Sequence, residues 1–112
     1  MSYQNERLAS FLKKEIALYV IKNFPRPEDV LVSVTKVFVE DSLENAKVFV
    51  SVFPEKNSYG VMQSLKNYES EMRKFLSSRL RRHRIPKITF VFDKNLESEV
   101  RLEKLLEKTE DE

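Results

Sequence analysis

The chain has 112 residues, 41% hydrophobic and 34% charged, with a net charge of +2 and no cysteine. That length allows one hydrophobic core and not two, and the composition is that of a single soluble globular domain with a heavily charged surface. Disulfides, thiol nucleophiles and cysteine-ligated metal centres are excluded, as is a run of about 18 apolar residues that could span a membrane; the charged start, MSYQNERLASFLKKEI, lacks a secretory h-region and predicts a cytoplasmic protein.

Leu8, Leu12, Ile16 and Val20 recur every fourth residue, with Phe11 and Tyr19 alongside. This predicts an amphipathic helix over residues 5–22, ended by Asn23 and the Pro25-Arg26-Pro27 run, where proline removes a backbone donor. VLVSVTKVFVE, residues 30–40, is β-branched and alternates as a strand does. Its phase slips at Lys36, which predicts a bulge near Thr35 and Lys36. EDSLEN turns the chain into a second strand with Ala46, Val48, Val50 and Val52 on one side, the short polar connection suiting an antiparallel hairpin.

After PEKNS, Asn57 or Ser58 is available to cap a second helix. Its pattern runs through Leu65, Tyr68, Met72, Phe75, Leu76 and Leu80 for about 25 residues, long enough to predict a kink or break. Ile85-Pro86 stops it, and Ile88, Phe90 and Phe92 alternate in a third strand. Val100, Leu102, Leu105 and Leu106 predict a closing helix, with a frayed acidic end at 109–112. The order is helix, strand, strand, long helix, strand, helix. It implies an α+β domain whose mixed three-stranded sheet is covered by helices on one side.

The charge is unevenly placed. From Glu71 to Lys87 the chain carries seven basic residues, Arg73, Lys74, Arg79, Arg81, Arg82, Arg84 and Lys87, against one acid; from Ile88 onward eight acids face four bases. Cations at a helix C-terminus complement its dipole, but so many without an interleaved acid exceed that need and predict a phosphate-binding patch. Lys13, Lys14 and Lys47 are weaker candidates, and Tyr59 is the one aromatic expected to be free for base stacking. Catalysis finds no support. His83 stands alone among arginines, the carboxylates sit at helix-surface spacing beside lysines, and the single glycine, Gly60, rules out a phosphate-binding glycine loop and the GxxG clamp of ordinary KH domains. No cofactor, metal or small-molecule substrate is expected, and without a conspicuous apolar patch the chain is expected to be a monomer.

Two segments carry a resemblance, VSVTKVFVEDSLENAKVFVSVF and RKFLSSRLRRHRIPKITFVFDKNLESEVRLEKLLEK, supported by the first helix RLASFLKKEIALYVIK. With Leu43 after Ser42, and with Arg79, Leu80, Arg81, Pro86, Phe90 and Asp93 in the second run, the chain resembles the ribosome-binding factor A family from about Asn5 to Lys108. The resemblance implies a type II KH-like fold, helix-strand-strand-helix-helix-strand, without a GxxG loop. Where the family has an Ala-x-Gly helix kink, this sequence reads Tyr68-Glu69-Ser70. It also implies association with the immature small (30S) ribosomal subunit and its 16S ribosomal RNA, non-catalytic help in late maturation, and support of growth in the cold. The RNA contacts would be Arg79, Arg81, Arg82 and Arg84, then Arg73, Lys74 and Lys87. The alternative is a small α/β module that docks an acidic protein through the same patch.

Overall fold

The computed structural model describes residues 3–80 and 84–94, with side chains from residue 5 onward. The expected closing helix and acidic end, and Arg81, Arg82 and His83, lie outside the described residues. Helix α1 spans Tyr3–Asn23 and buries Leu12, Ile16, Tyr19 and Val20. The Phe24 amide still donates to the Val20 carbonyl, but Pro25 and Pro27 allow no further turn. Asp29, at φ 65°, then reverses the chain, a backbone region that aspartate tolerates better than most residues.

Strands β1 (Leu31–Val39) and β2 (Asn45–Phe53) pair antiparallel. The register shifts between Val34 and Lys36, the bulge that the phase slip predicts. On one side of it Val32 and Val34 face the helices; beyond it Val37 and Val39 do, and both are buried. The Thr35 hydroxyl, displaced by the extra residue, donates to the Asp93 carboxylate at 2.5 Å, so the two outer strands are tied across β2. At the hairpin, Leu43 adopts φ 63° while its amide donates to the Glu40 carbonyl. The buried Asn5 amide group bonds the Glu40 carbonyl and the Asp41 carboxylate, fastening the start of α1 to this turn.

The capping expectation needs correction. Asn57 precedes the second helix but its side chain makes no capping bond. Instead a short 3-10 turn, Glu55–Asn57, leads in, with the Asn57 amide on the Pro54 carbonyl. The long helical pattern divides into α2 (Ser58–Asn67) and α3 (Glu69–Arg79), broken at Tyr68. Strand β3 (Lys87–Phe92) then joins the sheet parallel to β2, giving the order β1-β2-β3. The α+β, mixed three-stranded architecture thus agrees with the expectation, and its element order is that of a type II KH-like domain.

Alternation along the strands sends Ala46, Val48, Val50 and Val52 of β2, with Ile88 and Phe90 of β3, into one core with α1, α2 and α3. Leu65, Met72 and Leu76 close that core from the broken helix. The opposite sheet face is covered by no helix among the described residues. None of the described helices is long and apolar enough to cross a membrane.

Candidate nucleic-acid interface

Helices α1 and α3 lie side by side and run antiparallel: Tyr19 stacks near Phe75 with ring centroids 5.3 Å apart, and one α1 turn earlier Glu15 meets Arg79. The Arg79 guanidinium grips both carboxylate oxygens, Nε at 3.2 Å from Oε2 and a terminal nitrogen at 3.3 Å from Oε1. It also rests over the Phe75 ring, 5.8 Å from its centroid. The Glu15 side chain is only 8% exposed and the Arg79 side chain 52%. A buried carboxylate is tolerated only when its oxygens are bonded, and Arg79 supplies those bonds. The residue placed first among the RNA contacts is therefore a tie between α1 and α3, with part of its surface left for water.

The helix ends at Arg79: Leu80, at φ −114° and ψ 85°, has left helical geometry. Arg73 is also engaged. Its Nε stands 3.7 Å from Glu69 Oε1, and a terminal nitrogen donates to the Ile85 carbonyl at 3.4 Å, linking α3 to the segment entering β3. Lys74 and Arg84 are exposed and make no ion pair among the described residues. Lys13 and Lys14 are exposed on α1 immediately before Glu15, so the Glu15–Arg79 contact turns them toward the same end of the helix pair.

Lys87 does not belong with these. It opens β3, where Ile88 and Phe90 point into the core, so alternation sends Lys87 to the opposite sheet face, which no described helix covers. There it joins Lys47 and Lys36. Tyr59 is 77% exposed at the start of α2, as expected. The remaining phenylalanines are not all core: Phe38 is 37% exposed and Phe53 41%, and Phe49 is half-buried outside the core cluster. All three occupy outward positions of strands whose inward positions are valines and one alanine. The strand alternation already contained that signal, because Phe38 lies between Val37 and Val39.

At the helix junction Tyr68 sits at φ −94°, ψ −2°, with its amide on the Leu65 carbonyl and its carbonyl accepting from Met72. Its ring meets the buried Phe24 edge-on, centroids 5.5 Å apart. A glycine is not needed for this geometry, and the aromatic pair fixes the angle between α2 and α3 from outside. Ser70 is exposed, and Glu69 turns back toward Arg73. Nearby, burial first and then the Glu71 carboxylate push the Tyr19 phenol above its ordinary value of 10.0. The fold favours the neutral phenol, so this contribution is complete below about pH 10, the range of an unfolded tyrosine, and is lost as pH rises through the folded value. Tyr19→Phe is expected to show a shallower fall of stability between about pH 9 and 11 than the parent, measured by urea unfolding at each pH.

Known proteins agree with this architecture. Residues 4–106 match the family model described as ribosome-binding factor A. The ribosome-binding factor A of Halothermothrix orenii is 36% identical over 107 residues, 95% of this chain and 88% of that one. That of Chlorobium phaeobacteroides is 38% identical over 109 residues, covering 95% and 93%. Among solved structures, the crystal structure of ribosome-binding factor A from Thermus thermophilus superimposes with a TM-score of 0.69 at 24% identity, over 80% of this chain and 96% of that one. A homology model of the Thermus thermophilus protein, fitted into a cryo-EM map of a 30S complex, gives 0.60 at 21% identity, over 73% and 87%. With the family model spanning nearly the whole chain and relatives well above 30% identity at almost full length, the chain belongs to the ribosome-binding factor A family.

Proposed function

We propose that this chain is a cytoplasmic, non-catalytic maturation factor that binds the immature small ribosomal subunit through its 16S ribosomal RNA. The family membership carries this reading, and the 30S complex of the Thermus thermophilus relative supports the choice of partner. The described basic residues supply a physical means. Lys74 and Arg84 offer cations that pair with no described carboxylate, beside a helix pair that Glu15 and Arg79 lock together, so phosphates meet a surface that does not have to be ordered on binding. Arg81 and Arg82 extend the same run in sequence and are proposed contacts. Arg73 and Arg79 act mainly by holding α3 in place.

Co-sedimentation with immature and mature small subunits across a salt series tests this. The parent chain is expected to prefer the immature form and to lose affinity as salt rises. Lys74→Gln with Arg84→Gln is expected to weaken binding about tenfold or more, and to reduce the salt slope by about 2, with the unfolding midpoint unchanged. Binding that is insensitive to salt, or that the double variant leaves intact, would instead point to a protein-docking surface.

A further inference from the structure

The sheet face that no described helix covers combines cations and aromatic rings in a regular arrangement. Pairing across the three strands sets Phe38, Lys47 and Thr89 in one row and Lys36, Phe49 and Val91 in the next. In each row a ring has a lysine as its direct cross-strand neighbour, and the order is reversed between rows. The Lys36 ammonium lies 5.8 Å from the centroid of the Phe49 ring. Lys87 stands diagonally beyond Lys47, and Phe53 lies about 20 Å along β2 from Lys47, at six residues of roughly 3.3 Å each.

No outward position of the three strands carries a carboxylate. Two carboxylates flank the face, and both are engaged: Asp93, which follows β3, accepts from the Thr35 hydroxyl, and Glu40, which follows β1, accepts from the Asn45 side-chain amide. A face built for a purely apolar partner would not place a lysine beside each central ring, because docking would bury those ammonium groups unpaired. Alternating cation and ring is what a flexible polynucleotide needs: phosphates find the lysines while unstacked bases lie on the phenylalanines.

We infer that the open sheet face, centred on Phe38, Lys47, Phe49 and Lys36, is a second RNA-binding surface that takes unpaired RNA rather than duplex. The inference rests on the ribosomal RNA reading for its partner class, but not on the helix-borne cations. Lys36 keeps the Phe49 ring covered until a phosphate draws it away, so the ring becomes available as the backbone docks. The two surfaces lie on opposite sides of the sheet, so a single strand and a structured RNA element can be held at the same time.

The test is fluorescence anisotropy of the full chain with a labelled oligouridylate of about a dozen nucleotides, and with an RNA duplex of the same length, over a salt series. The single strand is expected to bind more tightly than the duplex. Lys36→Gln, Lys47→Gln and Lys87→Gln together are expected to weaken it about tenfold or more and to reduce the salt slope by about 2. Phe38→Leu is expected to cost about fivefold to tenfold with the slope unchanged, the signature of lost stacking. An unchanged affinity in Phe38→Leu, or a preference for duplex, overturns the inference. So does perturbation of the Phe38 and Lys47 NMR signals by Leu102→Asp with Leu105→Asp, which would give the face to the chain's own C-terminal residues. A chain that sediments with small subunits yet ignores the oligouridylate overturns this inference alone. One that binds the oligouridylate and ignores subunits overturns the functional reading alone.

Discussion

Replacing Arg79 with leucine is expected to lower the unfolding free energy by about 1–3 kcal/mol, because it leaves the Glu15 carboxylate buried with neither oxygen bonded. The lower part of that range is set by geometry: half of the Arg79 side chain is open to water, so solvent can move in and partly replace it. Glu15→Leu alone strands the cation at the surface, where water satisfies it, and is expected to cost less. The double variant removes both partners and is expected to recover most of the loss, since an apolar pair can occupy the contact between α1 and α3. Urea unfolding of the four proteins measures the coupling. Strictly additive single losses would mean that the two side chains act independently and that the bidentate contact contributes nothing to the fold.

The same contact decides how the basic run can be dissected. Neutralising Arg79, Arg81 and Arg82 together looks, from sequence, like a change confined to an RNA-binding surface. Its first member is a structural residue, so weaker RNA binding in such a variant would mix lost contacts with a loosened α3. Lys74 and Arg84 separate the two effects, being exposed and outside the ion-pair network among the described residues.

Phe24→Ala is expected to be the more damaging change, at about 3–4 kcal/mol. Phe24 is 6% exposed, and its loss opens a cavity where α1 ends against the junction of α2 and α3. Tyr68→Ala, at a half-buried ring, is expected to cost about 2 kcal/mol. The two should be clearly non-additive, with a coupling of about 0.5–1.5 kcal/mol for the edge-to-face pair. Thermal and urea unfolding of both singles and the double would check this. Additive losses would show that the junction angle is set by the helices' own core residues, Leu65 and Met72, and that the rings merely cover it.

Much of the architecture is legible in the sequence because period dominates over context in these segments. The fourfold recurrence of Leu8, Leu12, Ile16 and Val20 gives α1, and the phase slip at Lys36 gives the bulge in β1. The excessive length of the second helical pattern signals the break at Tyr68. What sequence reading misses is what depends on distant partners. Arg79 and Glu15 are 64 positions apart, and nothing near either residue announces the other. Chemistry alone assigns Phe38 and Phe53 to the core, although their phase against the valines places them outside. Proximity along the chain groups Lys87 with the arginines before it, yet a strand that begins at Lys87 turns it to the other side of the sheet. The Asn57 cap does not form because a 3-10 turn supplies the entry geometry through backbone bonds instead.

The bulge in β1 has a consequence for the chain's behaviour in crowded solution. Strand β1 lies at the edge of the sheet, and its valine-rich sequence would suit templated pairing with a second molecule. The extra residue at Thr35 interrupts the regular spacing of amides and carbonyls midway along that edge, and Lys36 places a charge beside the interruption. An incoming strand could match the residues before the bulge or those after it, but not both in one register. Each half is then too short to hold a second chain, so the kink that repositions Val37 and Val39 toward the core also blunts this edge against templated pairing.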